Sequence, residues 1–136
     1  MFKRLQLRAA DDRGSSPIQM AIIFPIVLLL FVAIVQSILW AYSRNVAYTA
    51  AREGLAAGRA YQASPADGAD RTSETLTRLG GNLVTSSSVS TAGSTGERIV
   101  IRVEGSAMSL VPGVANWQLS ATVSGPRERW TTAGGE

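Results

Sequence analysis

Met20-Ala21-Ile22-Ile23-Phe24-Pro25-Ile26-Val27-Leu28-Leu29-Leu30-Phe31-Val32-Ala33-Ile34-Val35 is an unbroken apolar run, and its reading decides the architecture. After the polar step Gln36-Ser37 the apolar character resumes through Ile38, Leu39, Trp40, Ala41 and Tyr42. At a rise of about 1.5 Å per residue such a stretch crosses a hydrocarbon core of about 30 Å. A transmembrane helix is therefore predicted over residues 17–42. A cleaved secretory signal competes, because a basic start followed by an apolar run is also its signature. The run here exceeds the roughly 7–15 apolar residues of a signal, and no small-x-small site follows it directly, so the helix is read as retained.

The flanks orient that helix. Lys3, Arg4, Arg8 and Arg13 outweigh Asp11 and Asp12 on the near side, while Trp40 and Tyr42 fall at the far end, where amphipathic rings favour the headgroup region. By the positive-inside rule the N-terminus is cytoplasmic and the C-terminal part extracytoplasmic. Ser16-Pro17-Ile18-Gln19 reads as a capping box with Ser16 as N-cap and Pro17 at the first helical position. Pro25 cannot donate to the carbonyl of Ala21, which predicts a kink or local loosening there.

Beyond Tyr42 the helical pattern continues as an extension over residues 43–63. Ala47, Ala50, Ala51, Gly54, Ala57 and Gly58 recur at spacings of three and four, so small residues line one stripe along which another backbone could approach closely. Two readings stay open: a seam for a neighbouring helix, or an Ala-rich helix packed on its own domain. Arg52 and Glu53 are expected to be solvated. Ser64-Pro65-Ala66-Asp67-Gly68 then breaks the helix, and Asp67 or Asp70 could cap a short second helix that ends near Gly80-Gly81, with Leu76 and Leu79 as its apolar edge.

From there the period becomes two. Ile99, Ile101 and Val103 alternate with Arg98, Val100, Arg102 and Glu104; Trp117, Leu119, Ala121 and Val123 alternate with Gln118, Ser120, Thr122 and Ser124. Both are half-buried strands by pattern, and a weaker one covers residues 83–91. The expected fold class is α+β: a long N-terminal transmembrane helix with its extension, then a small domain (64–136) of one short helix and about three antiparallel strands. The apolar loop 108–114 between the strong strands is expected to close the core, with contact to the membrane or a neighbour as the alternative.

Composition excludes much chemistry. The chain of 136 residues has no histidine and no cysteine. It therefore lacks the commonest general base, the commonest metal ligand and any disulfide. No Gly-x-Ser-x-Gly elbow, metal-ligand spacing or phosphate-cradling glycine loop is present. A net charge of +3 arises from thirteen basic and ten acidic residues spread thinly along the chain. No basic stripe for nucleic acid emerges. The expectation is a protein without catalytic residues, metal or cofactor, and not an enzyme.

A family resemblance rests on particular residues. Asp12-Arg13-Gly14-Ser15-Ser16-Pro17-Ile18-Gln19, followed by an apolar run with Pro25 six positions after Gln19, resembles the start of TadE-like proteins, pseudopilin or minor-pilin components of Tad/Flp tight-adherence pilus systems. Tyr42-Ser43-Arg44 with Ala50-Ala51-Arg52-Glu53-Gly54 is similar to that family's helix extension, and Pro126-Arg127-Glu128-Arg129-Trp130 to its usual end. The resemblance implies a leader-like segment over residues 1–16 and cleavage by a prepilin peptidase at Gly14-Ser15. It makes Gln19 the counterpart of a glutamate at the fifth mature position. The departure matters, since an amide cannot form an ion pair with a neighbour's terminal ammonium. Implied partners are the membrane, pilins or Tad assembly-platform proteins, the prepilin peptidase, and related TadE/TadF-like proteins. The alternative is a single-pass envelope protein whose exported domain binds a ligand or protein partner without filament assembly.

Overall fold

The computed structural model describes residues 15–128. It contains two helices, α1 (Ser15–Arg59) and α2 (Pro65–Gly80), followed by strands β1 (Val84–Ser90), β2 (Arg98–Ala107) and β3 (Trp117–Pro126). The chain divides into two compact units, the first ending at Val35 and the second comprising Gln36–Glu136.

In the first unit α1 is apolar on every side. Ile18, Phe24, Leu29, Leu30 and Phe31 all stand exposed, and the most apolar window of the helix has none of its residues buried. A helix hydrophobic all round needs an apolar surrounding, and this one is long and apolar enough to cross a membrane. Residues 16–35 alone reach about 30 Å, the thickness of a hydrocarbon core. Helical conformation is already present at Ser15, so Ser16 lies inside the helix and not at the cap position expected for it. The helix continues through Pro25 without a break.

In the second unit the rest of α1 packs with α2 and a three-stranded antiparallel meander of order β1-β2-β3. The α+β architecture expected from the sequence is the one observed. Strand register places Ile99 opposite Gly125, Ile101 opposite Val123 and Val103 opposite Ala121. One sheet face thus buries Ile99, Ile101, Val103, Leu119 and Ala121 with Val46, Ala47, Ala50 and Ala51 of α1 and Leu76 of α2. Between Thr85 and Ser88 the β1–β2 register shifts, and Ser86 takes up the irregularity at φ 51°. Such bulges bend an edge strand and discourage further pairing.

Several local expectations change. The extension ends at Arg59, short of residue 63. The cap of α2 is Ser64, whose hydroxyl accepts from the Asp67 N–H, while the Asp67 carboxylate accepts from the Ser64 N–H at 2.7 Å. Asp67 is the reciprocating partner in this capping box, one turn inside. Leu79, expected on the apolar edge with Leu76, is exposed. Loop 108–114 does not close the core: Leu110, Val111 and Val114 all point away from it.

Candidate functional site

The second half of α1 carries a stripe that organises the whole second unit. Gln36, Trp40, Ser43, Ala47, Ala50, Gly54 and Gly58 follow one another at steps of three and four, which keeps them on one helical face. The stripe changes chemistry along its length. Its first three members are polar handles that seize backbone, and the rest are small residues that admit close packing.

Gln36 is only 4% exposed. Its amide donates through Nε2 to the Met108 carbonyl at 3.0 Å and accepts through Oε1 from the Leu110 N–H at 2.9 Å. One side chain thereby satisfies both a donor and an acceptor of the loop after β2. Trp40 Nε1–H donates to the Gln118 carbonyl at 3.2 Å, and the Ser43 hydroxyl to the Leu83 carbonyl at 3.4 Å. Within the second unit, then, the first turns of its helix hold the ends of β1, β2 and β3 by hydrogen bonds spanning forty or more positions of sequence.

Farther along, the small residues meet α2 and the sheet. A Cβ at Gly54 would lie 1.7 Å from Thr72 Oγ1 and 2.6 Å from the Gly68 carbonyl oxygen. A Cβ at Gly68 would lie 2.8 Å from the Gly54 oxygen, and one at Gly58 would touch Ile99 at 3.5 Å. Ala47, Ala50 and Ala51 are fully buried, and Ala57, on the flank, is half-buried. The partner of the small-residue stripe is therefore the chain's own α2 and sheet. Of the two readings the sequence left open, packing on its own domain is the contact present in this structure.

Glu53, expected in solvent, is tied to α2. Its Oε2 accepts from the Thr75 hydroxyl at 2.8 Å and from Arg78 Nη2 at 3.3 Å, with Arg71 Nη2 at 3.6 Å. The pair with Arg71 is too exposed to add much stability, but together these contacts set the rotation of α2 on α1. At the far end of the helix Arg59 Nε donates to the Pro126 carbonyl at 2.7 Å, and Arg127 donates to the Ala63 carbonyl.

The outer face of the sheet is polar. Ser86, Ser88, Glu104, Ser106, Gln118 and Ser120 line an open depression of about 500 Å³. Among the described residues no group of carboxylates could hold a metal ion. Gln19 is an exposed residue of the first unit, in the second turn of α1. Of the Gly14-Ser15 bond, Gly14 lies outside the described residues, as do Arg129 and Trp130 of the closing motif.

What the sequence reading missed was the head of the stripe. Gln36-Ser37 reads in sequence as an interruption of an apolar run, yet stepping back from Ala47 by four, three and four reaches Ser43, Trp40 and Gln36. That periodicity was the available signal.

Neither the comparison with curated proteins nor that with solved structures returns a match. The family model described as "TadE-like protein" matches residues 14–55, which takes in the apolar helix and most of the stripe but neither α2 nor the sheet. Over this helical segment the chain is similar to TadE-like proteins, and the segment includes a helix long and apolar enough to serve as a single-pass membrane anchor.

Proposed function

We propose that this protein is a TadE-like, membrane-anchored component of Tad/Flp pilus biogenesis, a pseudopilin or minor pilin that acts by helix packing and performs no turnover. The observation that carries the reading is the coincidence of the family match, residues 14–55, with an apolar helix whose exposed side chains have no place in water. The N-terminus is cytoplasmic, in keeping with Lys3, Arg4, Arg8 and Arg13 on that side of the run. The domain from Gln36 onward is extracytoplasmic.

The stripe from Gln36 to Gly58 is occupied within its own domain. The helix surface open to pilins, assembly-platform proteins or related TadE/TadF-like chains is therefore the apolar part, residues 16–35. Van der Waals packing and interhelical hydrogen bonds drive association there, since lipid offers no hydrophobic gain between helices. Gln19 and Ser16 are the polar side chains on that surface able to bond a neighbour.

Co-expression with a prepilin peptidase, followed by N-terminal sequencing, tests the assignment. The expected product begins at Ser15, and Gly14→Ala abolishes the cut. An unchanged chain length together with unaffected pilus formation in the variant would remove the assembly role. The polar depression on the outer sheet face favours a second reading, an exported domain that binds a hydroxylated or peptide ligand without filament assembly. That reading predicts that Glu104→Ala and Gln118→Ala abolish function while leaving processing intact.

A further inference from the structure

The exposed apolar loop after β2 has an occupant that its surroundings specify. Leu110 is 45%, Val114 50% and Trp117 42% exposed, on a loop that is nevertheless well tied. Val114 N–H donates to the Val111 carbonyl, with Gly113 at φ 81° completing the turn. Ser109 N–H donates to Asn116 Oδ1, and the Asn116 amide in turn donates to the Thr85 hydroxyl. Gln36 holds the Met108 carbonyl and the Leu110 N–H. Backbone groups are thus paired at the loop's root and across its turn while its apolar side chains face outward. Loops exposed to water do not need that combination; irregular backbone near lipid does.

Charge is distributed to match. From Gly105 to Pro126 the chain has no Asp, Glu, Lys or Arg, and there is none from Ser15 to Ser43. The opposite end of the sheet, by contrast, gathers Glu97, Arg98, Arg59, Arg127 and Glu128. The root of the loop is hydrogen-bonded to Gln36, and Gln36 is covalently joined to Val35, where the apolar run ends. Trp40 and Trp117 lie at the same end, Trp40 bonded to Gln118 beside Trp117. Indole rings favour a membrane–water interface.

The geometry points to loop 110–117 as a foot that rests in the outer membrane interface, with Leu110, Val111, Val114 and Trp117 in contact with lipid. This rests on the anchor reading of residues 16–35. The foot is a second attachment of the domain to the bilayer.

The natural absence of cysteine allows a direct test on the full chain. Leu28→Cys, Val114→Cys and Ala92→Cys each receive an environment-sensitive fluorophore, and the proteins are reconstituted in phosphatidylethanolamine–phosphatidylglycerol vesicles. Some vesicles carry nitroxide lipids labelled near the headgroup and others nitroxides near the chain terminus. Ala92 is exposed in the β1–β2 connection, roughly 30 Å of strand away from the foot at about 3.3 Å per residue. The label at 28 is expected to be quenched by the deep nitroxide, that at 114 by the shallow one about threefold or more above 92, and that at 92 by neither. Quenching at 28 without quenching at 114 overturns the foot and leaves the anchor standing. Protection of 114 from aqueous iodide without lipid quenching also overturns it, because a protein then covers the loop. Loss of quenching at 28 overturns the anchor and the foot together.

Discussion

Two stretches of one helix obey opposite rules. Up to Val35, α1 exposes Ile, Leu and Phe on every side and buries nothing; from Gln36 to Arg59 it buries glycine, alanine, serine, Val46 and one glutamine and exposes Arg44 and Arg52. The backbone hydrogen bonding is the same throughout. What differs is the medium: large apolar side chains gain most from leaving water, while a helix crossing another at close range gains most from having almost no side chain there. The contrast teaches that the small-residue stripe and the apolar run, adjacent in sequence and both suggestive of helix association, serve different contacts.

The same kind of substitution placed on either side of the boundary breaks or sharpens this contrast. Ala50→Arg has the largest expected effect. It forces an unpaired charge into a fully buried position, at a cost of about 3–5 kcal/mol by analogy with broken buried pairs. For so small a domain this exceeds much of the available stability. Loss of the cooperative thermal transition, followed by circular dichroism in detergent, is expected; an unchanged transition would show that the stripe is not the core. Leu28→Arg should cost about 3 kcal/mol in membrane insertion, read as the inserted fraction in an insertion assay. It should leave the melting of the second unit in detergent unchanged.

Next in size is Gln36→Leu. It strips the Met108 carbonyl and the Leu110 N–H of their partner and should destabilise the domain by about 2 kcal/mol. Faster amide hydrogen exchange confined to residues 108–116 would identify the cause. The smallest effect belongs to the α2 cap: Ser64→Ala should cost about 1 kcal/mol by denaturant titration.

The cap also carries a pH signature. Hydrogen bonds from the Ser64 backbone and hydroxyl hold the Asp67 carboxyl below its ordinary value of 3.8. A group whose pKa falls on folding binds fewer protons folded than unfolded. Its contribution is therefore complete above the unfolded value and is lost as pH drops through the lower folded one. Asp67→Asn is expected to flatten that acid limb by lowering stability at neutral pH, where the carboxylate's contribution is complete, and to leave stability in acid comparatively untouched.

Much of the fold was legible because its signals are local. The apolar run, the period-two alternation of β2 and β3, and the stop at Gly80-Gly81 each fit within one element. Other features depend on partners far away in sequence. Glu53 looks solvated beside Arg52 until Thr75, Arg71 and Arg78 are brought to it. Loop 108–114 looks like a core plug because hydrophobicity says that a side chain avoids water and not which apolar surface receives it. That the cap is Ser64, and neither Asp67 nor Asp70 as expected, turned on backbone conformation, extended at Ser64, which composition alone does not distinguish.

By itself the sequence determined that a continuous helix would be apolar all round and long enough to cross a membrane along one part and carry a close-packing stripe along the next, because both follow from side-chain size and spacing on a regular backbone. Only the tertiary structure decided what fills the stripe: α2 and the sheet occupy it, since Gly54 and Gly68 let two backbones approach at a distance no Cβ would allow. It decided as well that Gln36 is a clamp and no mere interruption, because an amide's two hydrogen-bonding ends acquire meaning only when a loop more than seventy residues later arrives to take them.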